Sequence, residues 1–223
     1  MHQEKALCFL KSGCNVFLTG SAGTGKTFVL NQYIEYLKER KVPVAITAST
    51  GIAATHMNGM TIHSWAGIGI KEKLTQGNLH SMKAKKYLKK NLEKAKVLII
   101  DEISMLHKNQ LNLVDQVLKY FKGSNQAFGG IQVVLCGDFF QLPPIGNPGE
   151  LSRDKFSFMS EAWLEANLAI CYLTEQFRQS DSLLNGILNE IREGKVSQRS
   201  IELLSDARDQ QLVDDKELTK LST

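Results

Sequence analysis

The sequence predicts an α/β domain built on a doubly wound, mainly parallel sheet flanked by helices, and three observations carry that expectation. The runs 15–19, 42–47, 97–100, 131–135 and 169–173 are apolar almost throughout, as strands covered on both faces are in a parallel sheet. Segments with apolar residues at helical spacing fall between most of them, so strand and crossover helix alternate. The first run ends directly at a glycine-rich stretch, Gly20, Ser21, Ala22, Gly23, Thr24, Gly25, Lys26 and Thr27. That stretch opens a helix, which puts the site at the C-terminal ends of the strands.

Composition fits one principal domain with the start of a second module at most. The 223 residues are 43% apolar and 22% charged, and no apolar run is long enough to span a bilayer. The first residues do not resemble a targeting segment, so an intracellular setting is the expectation. Cys8, Cys14, Cys136 and Cys171 form no C-x-x-C pair or zinc spacing, and Cys136 and Cys171 read as buried thiols. The net charge of +4 is unevenly spread: residues 1–96 hold 15 Lys and Arg against 5 acids, and residues 97–223 hold 12 against 18. The excess peaks over 83–96, where Lys83, Lys86, Lys90 and Lys94 share one face if the segment is a single helix. Such a face serves a polyanion partner or is simply solvated.

Taken in order, the first helix runs from Lys26 to about Lys38, with Val29, Leu30, Ile34 and Leu37 on its buried side. Its N-terminal amides and those of the loop ring a phosphate, Lys26 adds a cation and Thr27 offers a hydroxyl to Mg2+. Asp101 follows the apolar run 97–100 and is placed to hold the metal, directly or through water. Glu102 comes next as a candidate base for the water that attacks a γ-phosphate. Helical patterns follow at about 110–121, 161–167 and 182–192. Gln141 stands after the strand that closes at Gly137 and Asp138, on a chain stiffened by Pro143 and Pro144. Its amide can donate to a phosphate oxygen and accept from a water, so it can distinguish ATP from ADP.

Six blocks then make the sequence familiar: Phe17–Thr27, Thr47–Ala54, Thr61–Gly69, Asp101–Leu106, Phe128–Ile145 and Phe177–Gln179. Together they closely resemble the petite-integration-frequency type of DNA helicase, in the 5′ to 3′ branch of superfamily one. The likeness runs from about Gln3 to about Leu204. It implies a RecA-like first motor domain over 1–204, followed by a polar tail or the start of a further module over 205–223.

The resemblance also implies an ATP-dependent enzyme that couples hydrolysis to movement along single-stranded DNA and to unwinding. Its cofactors would be ATP and Mg2+, and its partners single-stranded, forked or folded DNA, met as a monomer away from membranes. Gln3 falls where the family reads the adenine edge. Arg178 falls where it contacts the γ-phosphate, although Arg178 can equally pair with a nearby acid such as Glu175. Thr50 and Gly51, with His63, Ser64 and Trp65, fall at the family's single-strand DNA contacts. There His63 or Trp65 offers a ring to a base, or Trp65 packs as core. The family has two motor domains, and the second is not expected within these residues. The chain alone is therefore expected to bind Mg-ATP or ADP, to hydrolyse slowly and not to unwind. Two other readings stay open: a nucleotide-gated DNA-binding module, and a phosphate-loop ATPase acting on something other than nucleic acid.

Overall fold

The computed structural model describes residues 1–177 and 182–209. Among them are strands β1 (Val16–Gly20), β2 (Val44–Ala48), β3 (Met60–Thr61), β4 (Val97–Asp101), β5 (Gln132–Cys136) and β6 (Ala169–Leu173). They form one sheet in the order β3-β2-β4-β5-β1-β6, with every pairing parallel. The five runs expected as strands are the five long ones. The two-residue β3 is too short to leave an apolar signature.

Alternation along the central strands divides the core in two. Val16 and Leu18, Val97 and Ile99, and Val134 and Cys136 pack with Ala6 and Leu10 of α1 (Gln3–Lys11) and with Val29, Leu30, Tyr33 and Ile34 of α2 (Lys26–Glu39). Phe17, Leu98, Ile100, Val133 and Leu135 join a cluster on the opposite side. Met57, the C-cap of α3 (Gly51–His56), packs in the first cluster, and the second layer contains α4 (Ile62–Trp65), α5 (Gln76–Ala84), α6 (Lys86–Lys94), α7 (Lys108–Lys122) and α8 (Glu161–Glu165). Gln132 fastens the first layer: its amide donates to the carbonyls of Leu10 (2.9 Å) and Cys14 (2.8 Å) and its oxygen accepts from the Tyr33 hydroxyl at 2.6 Å. Burial pushes the Tyr33 phenol up to about 12, so it stays a donor.

Two expectations need correction. β6 is not covered on both faces, because it is the edge strand: Ile170 is 67% exposed while Cys171 and Leu173 are buried. The lysine-rich segment is not one helix either. Thr75 and Asn78 form a capping box that starts α5, and Lys85, at φ −79° and ψ 99°, breaks the chain before α6. Lys83 therefore ends one helix, its ammonium over the Tyr120 ring, while Lys86, Lys90 and Lys94 share an exposed face of another.

The Cα packing divides the chain after Arg178. In the second unit, α9 (Ser182–Glu193) and α10 (Gln198–Asp209) are joined through Ser197, whose N–H and hydroxyl both donate to the Glu190 carboxylate. The Ser197 oxygen then caps α10 by accepting from the Ser200 N–H. The boundary expected at 204 falls inside α10, where Ile201 and Leu204 continue the apolar spacing. No helix among the described residues is long and apolar enough to cross a membrane.

Candidate active site

β1 delivers the chain to Gly20, where a side chain would have no room. A Cβ there would lie 2.6 Å from the Leu173 carbonyl oxygen and 2.8 Å from the Thr24 hydroxyl. The loop then turns tightly, with the Thr24 hydroxyl donating to the Ser21 carbonyl at 2.8 Å. Gly25 is left-handed at φ 82° and starts α2, and a Cβ on it would collide with the Gln3 amide. The glycines thus let the backbone curl around a space into which the first amides of α2 point, an arrangement suited to an anion. Lys26 folds back over the loop, its Nζ donating to the carbonyls of Gly20 (2.8 Å) and Ser21 (3.1 Å). The exposed Thr27 makes no side-chain hydrogen bond among the described residues.

The loop is also held from outside. Gln3 Nε2 donates to the Thr24 carbonyl at 3.1 Å, so the glutamine expected to read adenine is here a tie on the phosphate loop. The chain leaving β6 adds two more: Gln176 Nε2 donates to the Ser21 hydroxyl at 3.1 Å and the Phe177 N–H to the Gly23 carbonyl at 2.9 Å. Neither tie has a sequence signal, because each pairs residues more than 150 positions apart. Glu175 is 2.5 Å from His2 Nδ1. Arg178 lies outside the described residues.

The carboxylates stand at the ends of β4 and β5, the two strands that precede β1 in the sheet order. Asp101 closes β4, and its Oδ1 accepts the Glu102 N–H at 2.9 Å. The buried Cys136 thiol donates to Asp101, and burial first, then that carboxylate's charge, raises the thiol far above its usual value. Glu102 sits in the left-handed region at φ 51°, a conformation that costs a non-glycine residue about 1–3 kcal/mol. The Ser49 hydroxyl donates to its carbonyl at 2.7 Å. Burial and the charges of Asp101 and Asp138 raise the Glu102 carboxyl above its usual range, against the lowering effect of Lys26. A carboxylate so placed is a better proton acceptor than an exposed one.

Asp138, 1% exposed after β5, is a residue to which the sequence assigned no role. Its carbonyl accepts the Gln141 N–H at 2.9 Å, and its carboxylate accepts the Phe140 N–H and the Gln141 amide at 3.2 and 3.4 Å. The Gln141 side chain is therefore tethered beside the carboxylate pair. Among the described residues no three His, Cys, Asp or Glu side chains gather to cage a metal. The sparse set of one hydroxyl and one carboxylate, Thr27 and Asp101, fits Mg2+, which keeps waters and takes most of its other ligands from nucleotide phosphates.

The residues expected to meet DNA separate into two groups. Thr50 caps α3, and Gly51 opens it with open space around its Cα. Thr61 caps α4, donating to the exposed Ser64 hydroxyl at 3.0 Å. His63 is half-buried in a groove of about 610 Å³ with Ile70, Met105, Pro144 and Ile145, and burial lowers its imidazole below its usual value. Trp65 is 5% exposed and packs in the core with Ile62 and Ala66, so the base-stacking alternative for its ring is corrected.

The comparisons with known proteins extend through all of this. The family model of PIF1-like helicases matches residues 4–212. The ATP-dependent DNA helicase Pif1 of Psychrobacter sp. (strain PRwf-1) is 61% identical over 212 residues, covering 92% of this chain and 32% of that protein. The ATP-dependent DNA helicase RRM3 of Saccharomyces cerevisiae is 44% identical over 200 residues, covering 88% of this chain and 28% of its own. The chain thus spans about a third of the length of these curated relatives. Among solved structures, the Pif1 helicase of Candida albicans superposes with a TM-score of 0.85 at 36% identity, covering 96% of this chain and 48% of that one. The Bacteroides Pif1 helicase in complex with ADP-AlF3 and ssDNA gives 0.81 at 32% identity, covering 96% and 51%. Since these matches take in the Asp101–Glu102 strand end and the loop after β5 as well as the phosphate loop, the chain belongs to the PIF1-like helicase family.

Proposed function

We propose that this chain is the first motor domain of an ATP-dependent 5′ to 3′ DNA helicase, coupling ATP hydrolysis to movement on single-stranded DNA. The observation that carries the reading is the convergence of the phosphate loop, the raised Glu102 carboxyl and the tethered Gln141 at the ends of the neighbouring strands β1, β4 and β5. The relatives' names, and the Bacteroides complex with ADP-AlF3 and ssDNA, support it. In this reading Gly20 to Thr27 wrap the phosphates, Lys26 leaves the loop carbonyls for them, and Gln3 stands ready to meet the adenine. Thr27 and Asp101 hold Mg2+, which when bound neutralises phosphate charge. Glu102 draws the proton from the attacking water, Gln141 orients that water, and Arg178 is assigned to the γ-phosphate. Thr50, Gly51, His63 and Ser64 meet single-stranded DNA, including the unpaired arms of forked or folded DNA, with the protein acting intracellularly as a monomer.

The experiment is ATP turnover by the 223-residue chain with and without a single-stranded oligonucleotide. Turnover raised by the oligonucleotide is the expected result. Turnover and ATP affinity indifferent to DNA would overturn the motor reading in favour of an ATPase with another substrate. DNA binding that responds to nucleotide without turnover would favour a gated binding module.

A further inference from the structure

We infer that Gln176 is a positioning residue for the phosphate loop, strapping the Ser21–Thr24 turn from outside together with the Phe177 amide. The inference rests on the nucleotide reading above. From inside, the turn is held by the Lys26 ammonium on the Gly20 and Ser21 carbonyls and by the Thr24 hydroxyl on the Ser21 carbonyl. An ammonium has three N–H donors, so with two of them on these carbonyls Lys26 has one left, and serving a phosphate cluster with more than one takes at least one from the loop. Binding therefore removes part of the inner support at the moment when the loop must hold its shape.

The outer ties do not depend on Lys26. Gln176 Nε2 reaches the Ser21 hydroxyl and the Phe177 N–H reaches the Gly23 carbonyl, at 3.1 and 2.9 Å, so both arms of the turn are gripped. Their base is rigid. β6 pairs with β1 along its full length, Gly20 against Leu173, only three residues before Gln176. A loop fixed in this way loses less conformational freedom on binding than one that must be ordered by the ligand. Gln176 is solvent-exposed, so its loss removes a polar tie without opening the core.

The test is binding of Mg-ADP carrying a fluorescent ribose label to the 223-residue chain. The variants are Gln176→Leu, Ser21→Ala, the two together, and Phe177→Pro, which deletes the second donor. Gln176→Leu and Ser21→Ala are each expected to weaken binding about three- to tenfold, the range of one net hydrogen bond. The pair should be no weaker than the worse single variant, the mark of one shared contact, with Tm unchanged. Phe177→Pro should weaken binding further. A Gln176→Leu affinity within about twofold of the parent, or losses that multiply in the pair, overturns the strap. Lys26→Ala separates the two readings: if it binds as tightly as the parent, or the parent does not bind, the nucleotide reading fails and this proposal falls with it.

Discussion

Replacing Glu102 by Gln keeps the shape and the left-handed backbone of the residue and removes only its capacity to ionise. Two consequences with opposite signs follow from its surroundings. As the base of a hydrolytic step its loss should cost about 10²–10⁴ in turnover, or roughly 3–5 kcal/mol of barrier. For stability the sign is reversed. Burial acts first and the charges of Asp101 and Asp138 next to raise the carboxyl in the folded state, and Lys26 offsets them only in part. A folded-state value above the unfolded one means stability that is fully present below the ordinary 4.5 and is lost as pH rises through the folded value. The parent thus bears the cost of an ionised Glu102 at pH 7, and Glu102→Gln does not. The variant should melt above the parent at pH 7, with the gap closing below about pH 4.5. Phosphate release at saturating Mg-ATP measures the first effect and paired melts at pH 7 and 4 the second. A variant keeping more than about a tenth of parental turnover would refute Glu102 as the base. One that melts below the parent at pH 7 would refute the electrostatic account.

Asp115 and Glu150 extend the same reasoning to the layer behind the site. Asp115 Oδ1 accepts the N–H of Phe128, a fully buried residue at φ 50°, at 2.6 Å, and Oδ2 pairs with Lys119 at 2.8 Å. Asp115→Ala leaves that amide without its acceptor, at a cost of about 2–3 kcal/mol and a Tm about 4–12 °C lower, while Asp115→Asn keeps an acceptor and should lose less than half as much. Equal losses in calorimetry would refute this. Glu150 accepts from His107 Nε2 at 2.9 Å and from the Asn147 N–H at 3.1 Å, and these bonds hold its carboxyl down at about 2. Its contribution should be complete above its ordinary 4.5 and disappear as pH falls toward about 2. The Tm difference between the parent and Glu150→Gln should therefore shrink between pH 5 and 3, and a constant difference counts against the clamp.

The sheet was legible because its central strands are buried on both faces and so read as unbroken apolar runs; β1, β4 and β5 lie within one or two residues of where those runs fall. Legibility weakened where burial is one-sided. β6 has an open face at Ile170 and Tyr172, yet its residues are as apolar as those of a central strand. The lysine-rich segment misled for a related reason, since spacing along 83–94 cannot register a single extended residue at Lys85 that divides it. Trp65 was undecided in the sequence because an indole serves equally well in a core or against a base, and only its neighbours Ile62 and Ala66 decide.

The roles proposed for Lys26, Thr27, Asp101 and Glu102 come from motifs contiguous in the chain. What could not be read is how the motifs meet, and that depends on strand order. Placing β5 between β4 and β1 brings Asp138 among the charges that act on Glu102 and lets it hold Gln141. Placing β6 on the other side of β1 carries residues 174–177 to the outer edge of the phosphate loop, where Gln176 and Phe177 find partners. Both crossovers are long, and a parallel sheet admits them in more than one order without changing the apolar pattern of any strand. The groups proposed to be catalytic are thus local in the sequence, while the groups that hold them in place are supplied by topology. Substitutions at Asp138 or Gln176 should therefore alter how the site is positioned while leaving every motif intact.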